Sequence, residues 1–109
     1  MQAKEKKIST RPDAKRMVEN IIRCKWSLTV IAQIRGGINR PGAIERSVPG
    51  LSTKVLNERL RKLVNFGILE KKIFPVVPPH VEYEFTEFGR NFVDILDAIE
   101  KLESKLAEN

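Results

Sequence analysis

Side chains suited to catalysis or to metal binding are scarce in this sequence. His80 is the only histidine and Cys24 the only cysteine. A metal site made of histidine and cysteine needs several such ligands, and a nucleophile activated by histidine needs that histidine beside it. We therefore expect no catalytic residue, no metal and no cofactor, and we interpret His80 as a solvent-facing side chain. The single cysteine also excludes an internal disulfide framework.

One row of polar side chains suits binding to an anion better than catalysis. Ser52 follows the Pro49-Gly50 corner, and its hydroxyl can accept a hydrogen bond from a free amide of a first helical turn. We predict a helix over 52–66 that ends at Gly67. Taken alone, the polar side of such a helix is usually only solvated, and that interpretation stays open. This side carries Lys54, Asn57, Glu58, Arg61 and Asn65.

The segment before this helix favours a nucleic-acid surface. The stretch AIERSV follows Arg40-Pro41-Gly42, fits about two turns of helix and ends at the proline-glycine corner. A short helix, a tight corner and a basic helix with Ser, Thr, Lys and Asn at its start make the layout of a helix-turn-helix. The second helix of that motif enters the major groove of DNA with its N-terminus first.

The charge distribution indicates an anionic partner for one part of the chain only. The 109 residues carry a net charge of +6, and 41% of them are hydrophobic, which suits one compact core. Residues 1–72 hold 17 Lys/Arg and 6 Asp/Glu, whereas residues 73–109 hold 3 and 8. Charge alone does not distinguish nucleic acid from an acidic membrane surface. We expect the basic part to face the anion and the acidic part to serve self-association.

The remaining patterns predict N-terminal helices and a β-hairpin. Between Pro12 and Arg35 the apolar residues recur mostly at three- to five-residue steps, which indicates two helices or one bent helix. Residues 68–74 and the alternating stretch VEYEFT flank a proline-stiffened loop and predict a hairpin, the wing. Residues 1–10 are charged without an apolar period, which predicts a flexible basic arm.

A long amphipathic helix is predicted over about residues 86–107, with Thr86 as its cap. A terminal helix of this length has more apolar surface than so small a domain usually covers. Packing on its own domain stays the alternative, and we favour a homodimer interface. The stripe that would form this interface consists of Phe92, Ile95, Leu96, Ile99, Leu102 and Leu106.

Together these elements predict one fold class. We expect a single α+β domain over residues 11–109, a winged helix-turn-helix in which a helical bundle carries a two-stranded β-hairpin wing and a long C-terminal dimerisation helix. No apolar run is long enough to span a bilayer, and the polar N-terminal stretch lacks the apolar core of a signal peptide. We therefore expect a cytoplasmic, nucleoid-associated protein without a membrane partner.

Three stretches carry a resemblance to a known family. They are KW at Lys25-Trp26, PGLSTKVLNERLRKLVNFGILEK from Pro49, and FPVVPPHVEYEFTEFGR from Phe74, of which the last is quite specific. Over about residues 20–105 the chain resembles the HxlR-like winged helix-turn-helix transcription regulators. The resemblance implies a homodimer on a palindromic operator. It implies DNA contacts from Ser52, Thr53, Lys54, Asn57 and Arg61 at the groove and from Lys71, Lys72 and His80 around the wing, and Arg40 joins this candidate set.

Cys24 departs from the family's pattern. Several members sense oxidants or electrophiles through a cysteine near the start of the first helix, where this chain reads RPDAKR. Cys24 lies instead just before Trp26. A thiol among core residues is usually inert, although Arg23 and Lys25 supply the positive charge that a reactive thiol needs. Redox control is therefore not implied by the resemblance, and a sensor role for Cys24 stays the alternative.

The function indicated is regulation of transcription through occupancy of double-stranded DNA. We expect the helix at 52–66 to read bases and the wing to touch the backbone or the minor groove. The main alternative is a winged-helix protein-interaction module without base readout, and RNA binding is a weaker third interpretation. A reader of palindromes needs both a basic surface and a dimer helix, whereas a protein-binding wing needs neither. The effector stays unknown.

Overall fold

The computed structural model describes residues 14–108 of the chain. Within that range, five helices and one two-stranded antiparallel sheet confirm the predicted α+β winged helix-turn-helix. The predicted basic arm, residues 1–10, lies outside the described residues. In chain order the elements are α1 (Ala14–Arg23), α2 (Ser27–Arg35), α3 (Pro41–Ser47), α4 (Thr53–Asn65), β1 (Leu69–Phe74), β2 (His80–Phe85) and α5 (Glu87–Ala107).

Two separate helices, rather than one bent helix, precede the helix-turn-helix. Trp26 divides them with φ at 80°, a left-handed conformation that is uncommon outside glycine. The turn is held by α4, because Nε of Arg59 donates to the carbonyl oxygen of Lys25 at 2.8 Å. The turn between α1 and α2 therefore packs against α4 and helps to hold it in place.

α3 and α4 form the predicted helix-turn-helix. The corner between them uses Gly50 at φ 91°, which glycine adopts without steric strain. Leu51 is buried beneath this corner. Ser52 caps α4 as predicted, since its hydroxyl accepts a hydrogen bond from the Val55 N–H at 3.1 Å. The apolar side of α4 packs into the core through Leu56, Leu60 and Leu63.

β1 and β2 form the predicted hairpin, joined by a loop over residues 75–79. Leu69 pairs with Phe85 at the base of the hairpin. The N–H of Tyr83 donates to the carbonyl oxygen of Asn39 at 2.9 Å, so the segment before α3 is bonded to β2. A backbone hydrogen bond thus joins the wing to the helix-turn-helix, in addition to their contacts in the shared core.

α5 begins against the base of the wing. The hydroxyl of Thr86 accepts from the Gly89 N–H at 2.8 Å, which confirms the predicted cap. Gly89 packs so closely on the backbone just before β1 that a Cβ built there would lie 2.0 Å from the carbonyl oxygen of Ile68. Farther along, residues 100–108 are exposed, so the last turns of the helix lie outside the core.

A single hydrophobic cluster draws buried residues from all seven elements. It fixes α4, the wing and the start of α5 on one shared base, because interiors are packed too densely for elements to shift independently. Among residues 14–108, no helix combines the length and the apolar character needed to cross a membrane.

Candidate nucleic-acid interface

The polar side of α4 faces solvent, as the helical spacing predicted. Lys54, Asn57, Glu58 and Arg61 are all exposed. Side chains spaced three or four residues apart on one helix lie above one another, so they can reach neighbouring base pairs in a single groove. The exposed side of α4 is therefore open to a large ligand along several turns.

Ser52 and Thr53, at the start of α4, already have partners within the chain. The Ser52 hydroxyl accepts from the backbone of its own helix, whereas the Thr53 hydroxyl donates to the Glu45 carboxylate of α3 at 2.5 Å. Ser52 can still donate and Thr53 can still accept, because each hydroxyl has both functions. The sequence did not indicate Glu45, since its contact crosses the corner and depends on how α3 and α4 dock.

A groove of about 350 Å³ separates α4 from the wing. Asn57 and Arg61 line it from α4, and Lys71 and Tyr83 line it from the wing. Burial raises the pKa of the Tyr83 phenol above its ordinary value of 10.0, while the nearby positive charge of Arg61 opposes that rise. The groove therefore brings two cations and one amide together from elements that are separate in sequence.

The two wing lysines lie on opposite faces of the hairpin, because neighbouring side chains alternate along a strand. Lys71 lies opposite Tyr83 and lines the groove. Lys72 lies on the other face, where its Nζ is 3.0 Å from Oε1 of Glu84. The hydrogen bond to Glu84 and the charge of this carboxylate raise the pKa of Lys72 above 10.5. Lys71 is thus the wing lysine that faces the same space as Arg61.

Arg40 and His80 meet on that outer face of the wing, at Glu82. Oε2 of Glu82 is 3.7 Å from Nε of Arg40 and 3.2 Å from Nε2 of His80. The His80 ring also stacks on Phe74, with the ring centroids 4.5 Å apart. His80 therefore faces solvent only in part, because its ring also contacts an aromatic neighbour and a carboxylate. Neither Arg40 nor His80 lines the groove beside α4.

The C-terminal helix carries a second surface, which is apolar. Phe92 and Leu96 are only 2% and 7% exposed, and they belong to the core of their own chain. Their burial corrects the predicted dimer stripe, because helical periodicity does not distinguish turns that pack on the domain from turns that protrude. The four other stripe residues are exposed or half-buried: Ile95, Ile99, Leu102 and Leu106.

A groove of about 180 Å³ lies between this stripe and the first two helices. Ile22 of α1 and Leu28 of α2 line it opposite Ile99, and both are exposed. Beside it, Arg35 of α2 forms an ion pair with Asp97 of α5 at 2.5 Å. No surface role was predicted for Ile22 and Leu28, because apolar residues in amphipathic helices usually belong to the core.

Cys24 is half-buried at the turn between α1 and α2. Nζ of Lys62 on α4 is 3.3 Å from its Sγ, and Oδ1 of Asn20 is 3.6 Å from the same sulfur. The thiol therefore lies in a partly polar setting rather than a purely apolar one. Within the described part of the chain, no group of three or more His, Cys, Asp or Glu side chains is placed to hold a metal ion.

Known proteins are similar in sequence to this chain over most of its length. Residues 21–109 match the HxlR-like helix-turn-helix family. An HTH-type transcriptional regulator of Synechocystis sp. is 38% identical over 91 residues, which cover 84% of this chain and 67% of the relative. Another, from Methanothermobacter thermautotrophicus, is 36% identical over 80 residues, which cover 73% of this chain and 61% of the relative.

Solved structures are similar to this chain in fold as well. A crystal structure described as a transcriptional regulator of the MarR family from Enterococcus faecalis has a TM-score of 0.79 and 27% identity to this chain. The superposition covers 87% of this chain and 86% of that one. The helix-turn-helix, the wing and the extent of the sequence match lead to one conclusion: this chain belongs to the HxlR-like helix-turn-helix family.

Proposed function

We propose that this chain, a transcription regulator of the helix-turn-helix type, binds double-stranded DNA in a sequence-specific manner as a homodimer on a palindromic operator. The observation that carries the proposal is the groove in which Asn57 and Arg61 of α4 meet Lys71 of the wing. Two cations and an amide on an exposed concave surface suit a polyanion whose groove floor offers hydrogen-bond acceptors. A regulator of this kind acts in the cytoplasm, at the nucleoid.

The exposed residues of α4 divide the work between bases and phosphates. Asn57 lies centrally on the exposed side, and its amide suits the bidentate contact to adenine in the major groove. Lys54, nearer the N-terminus, suits guanine O6 and N7. Arg61 lies beside the wing next to Tyr83, and we assign it to a phosphate together with Lys71. Contacts to phosphate then set the register in which Asn57 and Lys54 read bases.

The hydroxyls at the start of α4 and the cluster on the outer wing have smaller parts in this proposal. The Ser52 hydroxyl can still donate a hydrogen bond to a phosphate oxygen, and the Thr53 hydroxyl can still accept one from a donor on a base. Arg40, Lys72 and His80 are engaged with glutamates, so we place them at the margin of the DNA contact rather than in the groove.

The dimer is formed by the apolar surface of α5. A partner's helix suits the groove between α5 and the first two helices, because Ile22 and Leu28 present exposed apolar side chains in it. Leu102, farther along α5, is also exposed and extends the apolar surface. A two-fold dimer places its two recognition helices at half-sites about 34 Å apart, one turn of DNA. The palindromic operator follows from that symmetry.

Alanine variants on a selected duplex test this proposal. The wild-type protein is first used to select a duplex from random DNA, and its affinity is measured by fluorescence anisotropy over a range of KCl. We expect affinity to fall steeply with salt, by about 0.9 in log K per log unit of salt for each phosphate contact. Asn57→Ala should cost about 1–3 kcal/mol and relax preference at one base pair. Arg61→Ala should weaken selected and random duplexes alike.

Lys101→Ala is the control matched to Arg61→Ala, because it also removes one positive charge, but from an exposed position on the C-terminal helix α5. It should leave both affinities within two-fold of the wild type, since a remote surface charge is screened. A salt-independent response, or equal and sequence-blind losses in Asn57→Ala and Arg61→Ala, would contradict base readout. That result would favour the protein-interaction module instead.

A further inference from the structure

One carboxylate lies beside the start of α4 without a cation to pair with it. Glu45 is the only acidic residue of α3, it is half-buried, and among residues 14–108 it forms no ion pair. The neighbouring cation, Arg46, lies against Gly42 instead. The contact that Glu45 does make crosses the corner, where its Oε2 accepts the Thr53 hydroxyl at 2.5 Å. Its charge opposes the approach of phosphates, so any favourable part in DNA binding comes from this hydrogen bond.

The direction of this hydrogen bond is fixed by the chemistry of its two groups. A carboxylate only accepts, so the Thr53 hydroxyl is the donor and its proton points back toward α3. The remaining lone pairs of Thr53 Oγ1 receive no hydrogen bond from the described part of the chain, and the residue is exposed. Thr53 therefore presents an acceptor, and no donor, to a ligand at the start of α4.

The preceding residue, Ser52, has the opposite polarity. Its hydroxyl accepts from the Val55 N–H at 3.1 Å, so its proton remains available for a ligand. Two adjacent hydroxyls thus offer different functions, a donor from Ser52 and an acceptor from Thr53. The difference depends on Glu45, because without this carboxylate the Thr53 hydroxyl could rotate and donate to a ligand as well.

We infer that Glu45 is a positioning residue that makes Thr53 selective for a base with an amino group in the major groove. This inference rests on the proposed function, in which the first residues of α4 meet base edges. Adenine and cytosine present such an amino group, at N6 and N4, whereas guanine and thymine present acceptors and no donor there. The acceptor held by Glu45 bonds to the first two bases and faces lone pairs on the other two. A threonine hydroxyl that rotates freely serves all four.

The first step of the test locates the base that Thr53 contacts. The wild-type protein selects a duplex from random DNA, and Thr53→Val, which keeps the side-chain shape and removes the hydroxyl, identifies the position at which base preference is lost. Four duplexes that carry adenine, cytosine, guanine or thymine at this position are then compared by fluorescence anisotropy. We expect the wild type to bind the adenine and cytosine duplexes roughly five-fold more tightly, the value of one neutral hydrogen bond.

Substitutions of Glu45 then test its role. In Glu45→Ala the four affinities should lie within about two-fold of one another, because the freed hydroxyl can donate or accept. Alanine favours helix, so α3 should stay folded, and Glu45→Leu, which cannot accept either, should give the same result. Adding Glu45→Ala to Thr53→Val should change the base preference no further. Loss of a merely structural contact would weaken all four duplexes alike and leave their order unchanged.

Glu45→Gln is the matched variant, because its amide oxygen still accepts the Thr53 proton while the charge is removed. It should keep the preference for adenine and cytosine. It should also bind all four duplexes more tightly than the wild type, since one carboxylate no longer repels phosphates. Melting curves of each variant, recorded in parallel, show that the compared proteins are folded.

Several results would overturn the inference. A Glu45→Ala protein that still prefers adenine and cytosine would show that the carboxylate does not orient the hydroxyl. A Glu45→Gln protein that loses the preference would assign the effect to charge instead. If Thr53→Val keeps every base preference of the selected duplex, the proposed function stands and the inference alone is refuted. If the wild-type protein enriches no duplex at all, both are refuted.

Discussion

Gly89→Ala tests how closely α5 packs against the base of the wing. Two physical effects of this substitution on stability oppose each other. Alanine inside a helix is favoured over glycine by about 1 kcal/mol. Against this, the new Cβ would lie 2.0 Å from the carbonyl oxygen of Ile68 and 2.9 Å from its carbonyl carbon. These are backbone atoms, so no side-chain rotation relieves the overlap. The start of α5 must therefore move away from β1 by roughly 1 Å or more.

That movement has a cost that can be assigned to named contacts. The Ile68 carbonyl oxygen accepts the Thr86 N–H at 3.1 Å, and the Thr86 hydroxyl donates to the carbonyl oxygen of Gly67. Weakening one or two such bonds costs about 1 kcal/mol each, and overpacking adds about 1–3 kcal/mol. After the gain in helix propensity is subtracted, we expect a net loss of about 1–4 kcal/mol in the free energy of unfolding.

Thermal and urea denaturation at fixed protein concentration measure this loss. For a domain of this size, 1 kcal/mol lowers Tm by roughly 4–8 °C. Gly42→Ala is the matched control, since its Cβ would meet only the end of the Arg46 side chain at 3.4 Å. We expect this control to be neutral or slightly stabilising. A Gly89→Ala protein as stable as Gly42→Ala would refute the close approach of α5 to the backbone of Ile68.

Four further predictions address the surfaces. Lys71→Ala should weaken binding to selected and random duplex alike. Lys72→Ala should change neither affinity by more than about two-fold, since Lys72 is paired with Glu84. Equal losses in the two variants would contradict the placement of these lysines on opposite faces of the wing. Leu102→Glu should convert dimer to monomer in sedimentation and reduce operator affinity, because it places a charge in an apolar interface. A variant that stays dimeric and binds normally would show that α5 packs only on its own domain. Absorbance at 295 nm should show that the Tyr83 phenol ionises above its ordinary pKa, and Arg61→Ala should raise this pKa further. Because this pKa is higher in the folded chain than in the unfolded chain, the stability linked to the phenol is complete below pH 10. It is lost as pH rises through the folded-state pKa. Cys24→Ser should leave DNA affinity unchanged with and without diamide; oxidant-sensitive binding that disappears in the serine variant would contradict this.

The sequence was sufficient for features that depend on local pattern. The cap at Ser52, the alternation in β2 and the period of the last helix each involve neighbours within a few residues, so the residue types themselves predict the structure. The opposite orientations of Lys71 and Lys72 follow from strand geometry in the same way. The fold class was predicted correctly because these local features combine in only a few ways.

Features that depend on docking could not be predicted in this way. Glu45 meets Thr53 only because two helices cross at a particular angle, and Glu82 meets Arg40 only because the wing folds back beside α3. The burial of Phe92 and Leu96 reflects where α5 leaves the domain, which its amphipathic period does not encode. These are tertiary contacts, and a single sequence contains no direct signal for them.

The ion pairs neutralise part of the acidic charge of the chain. Arg35, Arg40 and Lys72, all from the basic part, pair with Asp97, Glu82 and Glu84 of the acidic part. Such exposed pairs contribute little to stability, at most about 1 kcal/mol each. Their effect is on the distribution of charge, because each pair cancels a carboxylate that would repel DNA. Across residues 14–108, no ion pair involves Lys54, Arg61 or Lys71. These three cations, on α4 and on the wing face beside it, therefore keep their full charge for an anionic ligand.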